Sequence, residues 1–305
     1  MPTLTVLRQA VSPRLGPFIE GTSTSGSSTS VLEMTGWPFK STISQDDLFA
    51  GQTIFRPAAA AAADKTRIVD PEGGYTPATG KFTPDQVWTN SPGTETIEVH
   101  GHPVPVVSDG INDLHALINE ALKKMLVVVE FTFTVSSNTA QRHSMASAAS
   151  WLDNPGNVLQ VGVLTSGESR SDTDPFRTVK RGRATKTDGI VYLNDFSATT
   201  SDTMYVLALK PAYDHCKASG GSFGGQAGLS LETDEAVPQK EWVVAQTMVE
   251  VWDRLGTILA PGNQDRVRLQ QAEAASEADY WKSVYLEQNQ PNKTFEAVRQ
   301  WGPIP

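Results

Sequence analysis

Cysteine is nearly missing from this sequence: Cys216 is the only one in 305 residues. A disulfide within the chain and a cysteine-rich metal site are both excluded, and folding in a reducing compartment is expected, with Cys216 as a packing residue. Long apolar runs are missing too. Nothing approaches the roughly 18 residues of a membrane-spanning helix, and the opening MPTLTVLRQAVSPRLG lacks the apolar centre of a secretory signal. Neither membrane insertion nor secretion is expected. Positive charge is scarce: 25 Lys and Arg against 34 Asp and Glu leave a net charge of −9, which disfavours the broad phosphate-binding surface of a nucleic-acid reader. Like charge would suit the wall of a conduit through which DNA slides, although ordinary solubility is the simpler explanation.

Signatures of chemistry are equally sparse. No nucleophile elbow and no H-E-x-x-H metal pair are assigned. The nearest approach to a phosphate-binding loop is GYTPATGKF, where Gly74 and Gly80 stand too far apart and Phe82 replaces the magnesium-binding hydroxyl. His100 and His102 would share one face of a strand as potential metal ligands, but no third ligand is evident, so they read as ordinary structural residues. His115, on a helix, reads the same way. Asp109, Asn112 and Asp113 resemble a fragment of a calcium loop without its glycine and final glutamate, and helix capping accounts for them better. Asp172 and Asp174 suit a turn before Pro175, and Asp234 and Glu235 suit a helix N-terminus. Lys180, Arg181, Arg183 and Lys186 form the one basic cluster, read as a solvated face in preference to a DNA contact. No catalytic, metal or cofactor residue is assigned, and the chain is not expected to be an enzyme.

What the sequence does contain is Gly (24) and Pro (19), with 39% hydrophobic and 19% charged residues, a balance pointing to loops and short strands. The length allows about two domains. Residues 1–30, ending in GTSTSGSSTS, read as a flexible arm. Residues 31–107, punctuated by proline, read as an irregular β region with strands near Gln52–Arg56, Thr66–Val69, Gln86–Thr89 and Thr94–Val99, and a turn or two of helix in the alanine run from Ala58. Within 108–126, Ile111, Leu114, Ile118, Ala121, Leu122 and Met125 recur at helical spacing after Ser108 and Asp109 as candidate N-caps. VVVEFTFTV then switches to a period of two, with Val129, Phe131, Phe133 and Val135 on one face.

Further strands near Asn157–Leu164, Phe176–Arg183, Ile190–Leu193 and Thr203–Leu209 predict an antiparallel sandwich or barrel over 127–210. Residues 211–288 predict a short helix ending near Cys216, a GGSFGG hinge, and two helices. The first has Pro238 in its opening turn and a stripe of Trp242, Ala245, Val249, Trp252 and Leu255. The second runs from Asn263 to about Glu287, with Val267, Gln270, Ala274, Ala278, Trp281 and Tyr285 along one face. Residues 289–305 read as an extended tail with apolar anchors Phe295, Val298, Trp301 and Ile304. The expected fold is α+β: a small helical bundle packed through Ile111, Leu114, Ile118, Leu122, Trp242, Val249 and Trp252, interrupted by an antiparallel β domain and preceded by an irregular β-containing region.

This order of parts resembles the head-to-tail adaptor proteins of tailed bacteriophages. The resemblance lies in SDGINDLHALINEALKKM before VVVEFTFTV, in AASWLDNPGNVLQVGVL, in YVLALKPAYD, and in GLSLETDEAVPQKEWVVAQTMVEVWDRLG. It covers about Ser108 to Gln288, and DKTRIVDPEGGYTP upstream is similar to the short β region that precedes the helix in such proteins. The resemblance implies a homo-oligomeric ring of twelve copies docked on the portal protein at the head-tail junction of the virion. Such a ring is assembled in the host cytoplasm and offers a platform to a tail terminator or other neck protein. It lengthens the channel through which genomic DNA passes without sequence-specific binding, and it implies no cofactor. The apolar anchors of the tail are then expected to reach the portal. Two other classes compete. A tail or baseplate binding module would need an exposed aromatic platform on the β domain, and a virion hydrolase would need two of Asp153, Glu168 and Asp188 converging in a cleft.

Overall fold

The structure, a computed structural model, describes residues 1–35, 49–76, 79–102, 104–106, 113–134, 142–144, 158–164, 180–182, 184–187, 190–193, 200–258 and 264–289. It is a mixed α+β protein with a curled, barrel-like antiparallel sheet, as expected for its class. Contacts divide the chain into two units: Met1–Leu122 with Cys216–Trp281, and Lys123–His215 with the residues from Lys282 onward. In sequence, therefore, the second unit interrupts the first.

The first unit begins with helix α1 (Leu4–Leu15), followed by strand β1 (Phe18–Ser23). These elements replace the flexible arm expected over residues 1–30. Leu4, Leu7, Arg8, Val11 and Ser12 are buried at the i, i+3, i+4, i+7, i+8 spacing of one helix face, and the Thr3 hydroxyl caps the start by accepting from the Val6 amide. The serine- and threonine-rich stretch after β1 is the hairpin turn into β2 (Leu32–Thr35). Its order comes from its own hydroxyls: Ser27 Oγ donates to the Glu33 carbonyl and accepts from the Glu33 amide, and Ser28 Oγ accepts from the Val31 amide.

Five more strands complete the sheet of this unit: β3 (Thr53–Phe55), β4 (Thr66–Ile68), β5 (Tyr75–Thr76), β6 (Lys81–Phe82) and β7 (Thr96–His100). Their order is β4-β3-β7-β1-β2-β6-β5. The sheet curls until its ends approach. Val69 and Pro84 form an antiparallel bridge, the Asp70 amide donates to the Thr83 carbonyl at 2.9 Å, and the Asp85 amide donates to the Ile68 carbonyl at 2.8 Å. The seam covers the edge of β4, which would otherwise offer unpaired backbone groups. Inside the curl lie Leu32, Met34, Phe49, Ile54, Val69, Tyr75, Phe82, Trp88, Ile97 and Val99. The segment near Gln86–Thr89, expected as a strand, is loop: Trp88 is an anchor in this core with the Arg56 guanidinium 5.3 Å from its ring centre. The alanine run yields only α2 (Ala62–Lys65), whose Asp64 carboxylate accepts from the Thr89 and Asn90 amides.

Helix α3 (Leu114–Lys124) is capped by Asp113, whose Oδ1 accepts from the Ala116 amide at 2.7 Å. Ser108 and Asp109, the caps expected from sequence, lie outside the described residues, as does Ile111. Leu114, Ile118 and Leu122 are fully buried. Asn119 docks the helix on the loop ahead of the last helices through reciprocal bonds with the backbone of Leu229.

In helix α4 (Lys240–Ile258) the deep face includes Trp242, Ala245, Met248, Val251 and Leu255, with Val243, Val244 and Thr247 beside it. Val249 and Trp252, expected on the buried stripe, are only half-buried. The buried arc runs through Val243, Val244, Thr247, Met248, Val251 and Leu255, which leaves Val249 and Trp252 toward its margin, and the strongest helix-helix packing among the described residues is α1 on α4. The three helices flanking the insertion therefore do not pack on one another alone. Pro238 lies just before α4, outside its opening turn. Helix α5 (Gln264–Asn289) buries Val267, Ala274, Ala278 and Tyr285, while Gln270 and Trp281 of the expected stripe are half-buried.

The second unit is antiparallel throughout its described strands. β8 (Leu126–Thr134) pairs along its whole length with β14 (Thr203–Pro211), and β10 (Val158–Leu164) and β11 (Lys180–Gly182) extend the sheet in the order β11-β10-β14-β8. β9 (Arg142–Ser144), β12 (Ala184–Thr187) and β13 (Ile190–Leu193) form a separate three-stranded sheet. The alternation read from VVVEFTFTV holds where described: Val127 and Val129 are buried, Glu130 and Thr132 exposed. Pro211 opposes Leu126 at the end of the ladder, and the chain leaves through a short 3-10 turn, Ala212–His215. The Tyr285 hydroxyl accepts from the Val128 amide at 3.1 Å.

Candidate functional site

Among the described residues, a dense group of ionisable side chains is buried in the first unit, on the outer face of β7. Alternation along that strand sends Ile97 and Val99 into the curl and turns Glu98 and His100 to the opposite face, which α1 covers. Arg8 of α1 meets Glu98 in a two-pronged pair, Nε to Oε2 and Nη2 to Oε1, both at 2.7 Å, and both side chains are 0% exposed. Arg8 Nη1 donates to Glu232 Oε2 at 2.5 Å and lies 3.0 Å from His115 Nε2. Its guanidinium stacks 4.5 Å from the centre of the Phe55 ring. Gln9 donates to Glu98 Oε1 at 3.1 Å. His100 completes the group, with Nδ1 3.0 Å from Ser12 Oγ and Nε2 3.0 Å from Glu98 Oε2.

Hydrogen-bond chemistry fixes the protonation of His115 and one ring proton of His100. A guanidinium only donates, so His115 Nε2 accepts and the ring is neutral with its proton on Nδ1. A carboxylate only accepts, so His100 Nε2 donates to Glu98, while Nδ1 pairs with the Ser12 hydroxyl, which can donate or accept. Burial pushes His100 below the ordinary histidine value, against the pull of Glu98. Burial, with Arg8 beside it, brings His115 down to about 3, and burial next to His100 brings His102 down to about 4. For Glu98, burial alone would raise the carboxyl, but hydrogen bonds and charge from Arg8 and His100 outweigh it and hold the group at about 2.

Ser12, His100 and Glu98 have the order of a nucleophile, a base and an orienting acid. Access argues against catalysis: Ser12 is 0% exposed on the buried face of α1, and Glu98 is already clamped by Arg8. The arrangement is a lock that sets α1 on β7, α3 and the loop carrying Glu232. Its residues were individually visible in the sequence, but no local spacing joins Arg8 to Glu98.

A second feature passed over in the sequence is Gly220–Gly224, GGSFG, which has the residue types of a nucleophile elbow. It forms a turn bracketed by a bridge between Cys216 and Gln226, with Ser222 exposed, and lacks the strand-to-helix setting an elbow requires. The phosphate-loop-like segment is likewise structural. The Gly74 amide donates to the Asp70 carbonyl, a Cβ on Gly74 would come within 2.5 Å of the Asp70 backbone, and Lys81 pairs with Glu33 at 3.5 Å.

The other sequence-derived residues are dispersed. Asp234 is buried just before α4, where its Oδ2 accepts from Gln226, from the Ser230 amide and hydroxyl, and from the Leu231 amide. Lys180 and Arg181 stand on edge strand β11 opposite Val163 and Gly162, whereas Lys186 stands on β12 opposite Val191, so the basic run is divided between two sheets. Arg183, Asp153, Glu168, Asp188 and the tail anchors Phe295, Val298, Trp301 and Ile304 lie outside the described residues. Among the described residues no group of three or more His, Cys, Asp or Glu is placed to hold a metal ion. No family model matches the chain, and no curated protein is significantly similar to it.

Proposed function

We propose that this chain is a structural virion protein, a head-to-tail adaptor that forms a ring between the portal of a tailed bacteriophage and its tail or neck. The observation that supports this reading most is the chain's organisation: one unit is built from two separated stretches, and an antiparallel β unit is inserted between them. That arrangement matches the order of elements on which the sequence resemblance rests. An interrupted unit suits an assembly subunit, since the inserted unit can reach another protein without breaking the fold that carries it. The net charge of −9 suits a lumen wall to which DNA does not adhere. Among the described residues no helix is long and apolar enough to cross a membrane.

In this reading about twelve copies close the ring, portal and tail terminator or another neck protein are the partners, and Phe295, Val298, Trp301 and Ile304 anchor the tail on the portal. Deleting Asn292–Pro305 is expected to abolish binding to purified portal rings in sedimentation or pull-down assays while thermal unfolding of the chain stays within a few degrees. Undiminished binding of the truncated chain would remove the tail from the interface. If the full chain does not bind a portal, a tail or baseplate binding module becomes the better reading.

A further inference from the structure

We infer that α1 is an acid-releasable latch, which undocks from β7, α3 and the Glu232 loop when the histidines walling in Arg8 take up protons. Geometry carries the inference. Arg8 approaches His115 Nε2 at 3.0 Å, a contact possible only while that ring is neutral. A proton placed there would set two cations face to face where the Arg8 side chain is 0% and the His115 side chain 16% exposed. His100 donates from Nε2 to Glu98 at 3.0 Å, and its Nδ1 faces the Ser12 hydroxyl at 3.0 Å.

Every charged group around these rings belongs to the same cluster. His115 faces Arg8 of α1, Glu98 and His100 of β7, Lys65 of α2, and Glu232 at 4.0 Å. His100 faces Glu98, Arg8 and Ser12, with the His102 ring centre 5.3 Å away. Glu98 and Glu232 Oε2 are both bonded to Arg8, and Glu232 Oε1 lies 4.0 Å from His115 Nε2, beyond hydrogen-bond distance.

α1 joins β1 through Gly16 and Pro17, and β1 is held on both edges, by β2 and by β7. Elsewhere α1 is held by burial of Leu4, Leu7 and Val11, by backbone bonds from the Leu4 amide to the Asp234 carbonyl and from the Thr5 amide to the Glu232 carbonyl, by the Thr5 hydroxyl on Glu232, by the exposed Arg14–Glu277 pair, and by the bridge between Thr3 and Glu235 just before it.

The pH window follows from linkage. In the closed form His115 stays neutral down to about pH 3, and His100 is also held below its ordinary value, whereas exposed histidines titrate near 6.5. Both groups have a lowered folded value, so their contribution is complete above about pH 6.5 and declines as the pH falls. Glu98 does not enter between pH 6.5 and 5, because it is ionised in both the closed and the open form there.

Hydrogen-deuterium exchange on the intact chain from pH 7.5 to 5, corrected for intrinsic rates, tests the latch. The population of opened α1 is expected to rise by about tenfold per pH unit for each ring that protonates on opening, up to about a hundredfold when both do. Amides of α4 from Val243 to Val251 should keep their protection. His115→Gln keeps an acceptor for Arg8 and removes one titration, so the slope should fall to about tenfold. Should that variant not fold, ring NMR of the unaltered chain decides: both rings must remain unprotonated at pH 5.5. Protection of α1 that is flat with pH, loss in step with α4, an unaltered slope in a folded H115Q chain, or a ring titrating near 6.5 in the closed form would each overturn the latch.

Discussion

Replacing Arg8 by methionine is expected to lower the unfolding free energy by about 3–5 kcal/mol at neutral pH, because it strands the Glu98 carboxylate in a dry site. The magnitude comes from burial: both partners are 0% exposed and Glu98 keeps only Gln9 and His100. A surface pair would not behave so. Breaking Arg14–Glu277, where the side chains are 41% and 37% exposed, is worth at most about 1 kcal/mol. The double variant R8M/E98L should recover a large part of the loss, since removing both charges of a buried pair costs far less than removing one. Urea denaturation at pH 7 reads all three. An R8M chain within about 0.5 kcal/mol of the parent would mean that the network is solvated in solution, and would undermine the lock and the latch together.

Phe82→Ala should be comparably damaging, with a loss of about 3–5 kcal/mol. Phe82 is fully buried at the end of β6, with its ring centre 4.9 Å from that of Tyr75 and 5.5 Å from that of Phe49. It opposes Leu32 across the ladder, and the seam that brings the curled sheet's ends together starts at the next residue, Thr83. Truncation would both open a cavity and loosen the closure. Val87→Ala is the control, since Val87 is 64% exposed and its loss should stay within about 0.5 kcal/mol. A loss below about 1 kcal/mol for F82A would contradict the packing inside the curl.

Where apolar periodicity is local and strong, the fold could be read directly. The change from helical spacing to a period of two between Met125 and Val127 marks the junction of α3 and β8 to within a residue or two, and β10, β13, β14, α4 and α5 follow from the same kind of signal. α1 was not legible because its buried face mixes Leu4, Leu7 and Val11 with Arg8 and Ser12, polar residues whose partners lie about ninety positions away. The β1–β2 hairpin was hidden by composition. Serine and threonine there satisfy the turn's backbone, a role that composition cannot distinguish from flexible solvation.

The lock was invisible for a related reason. Glu98 and His100 sit in a strand whose two faces are both buried, one by apolar residues and one by α1, and without α1 in view they look like the outward half of an ordinary alternation. His100 and His102 drew attention as possible metal ligands, and the structure gives His100 a different use, since both its ring nitrogens are committed within the protein. Val249 and Trp252 show the limit of a one-stripe reading, since the buried arc of α4 also takes in Val243, Val244 and Thr247 and leaves these two toward its margin.

The measurement that bears most directly on the adaptor proposal is cryo-electron microscopy of the full chain mixed with portal rings, or of the particle that contains it. The proposal predicts a closed ring of this chain stacked coaxially on the portal, with the residues around Phe295–Ile304 at the contact and the lumen continuous with the portal channel. Density for this chain in a peripheral fibre or capsid decoration, or no association with the portal, would contradict it.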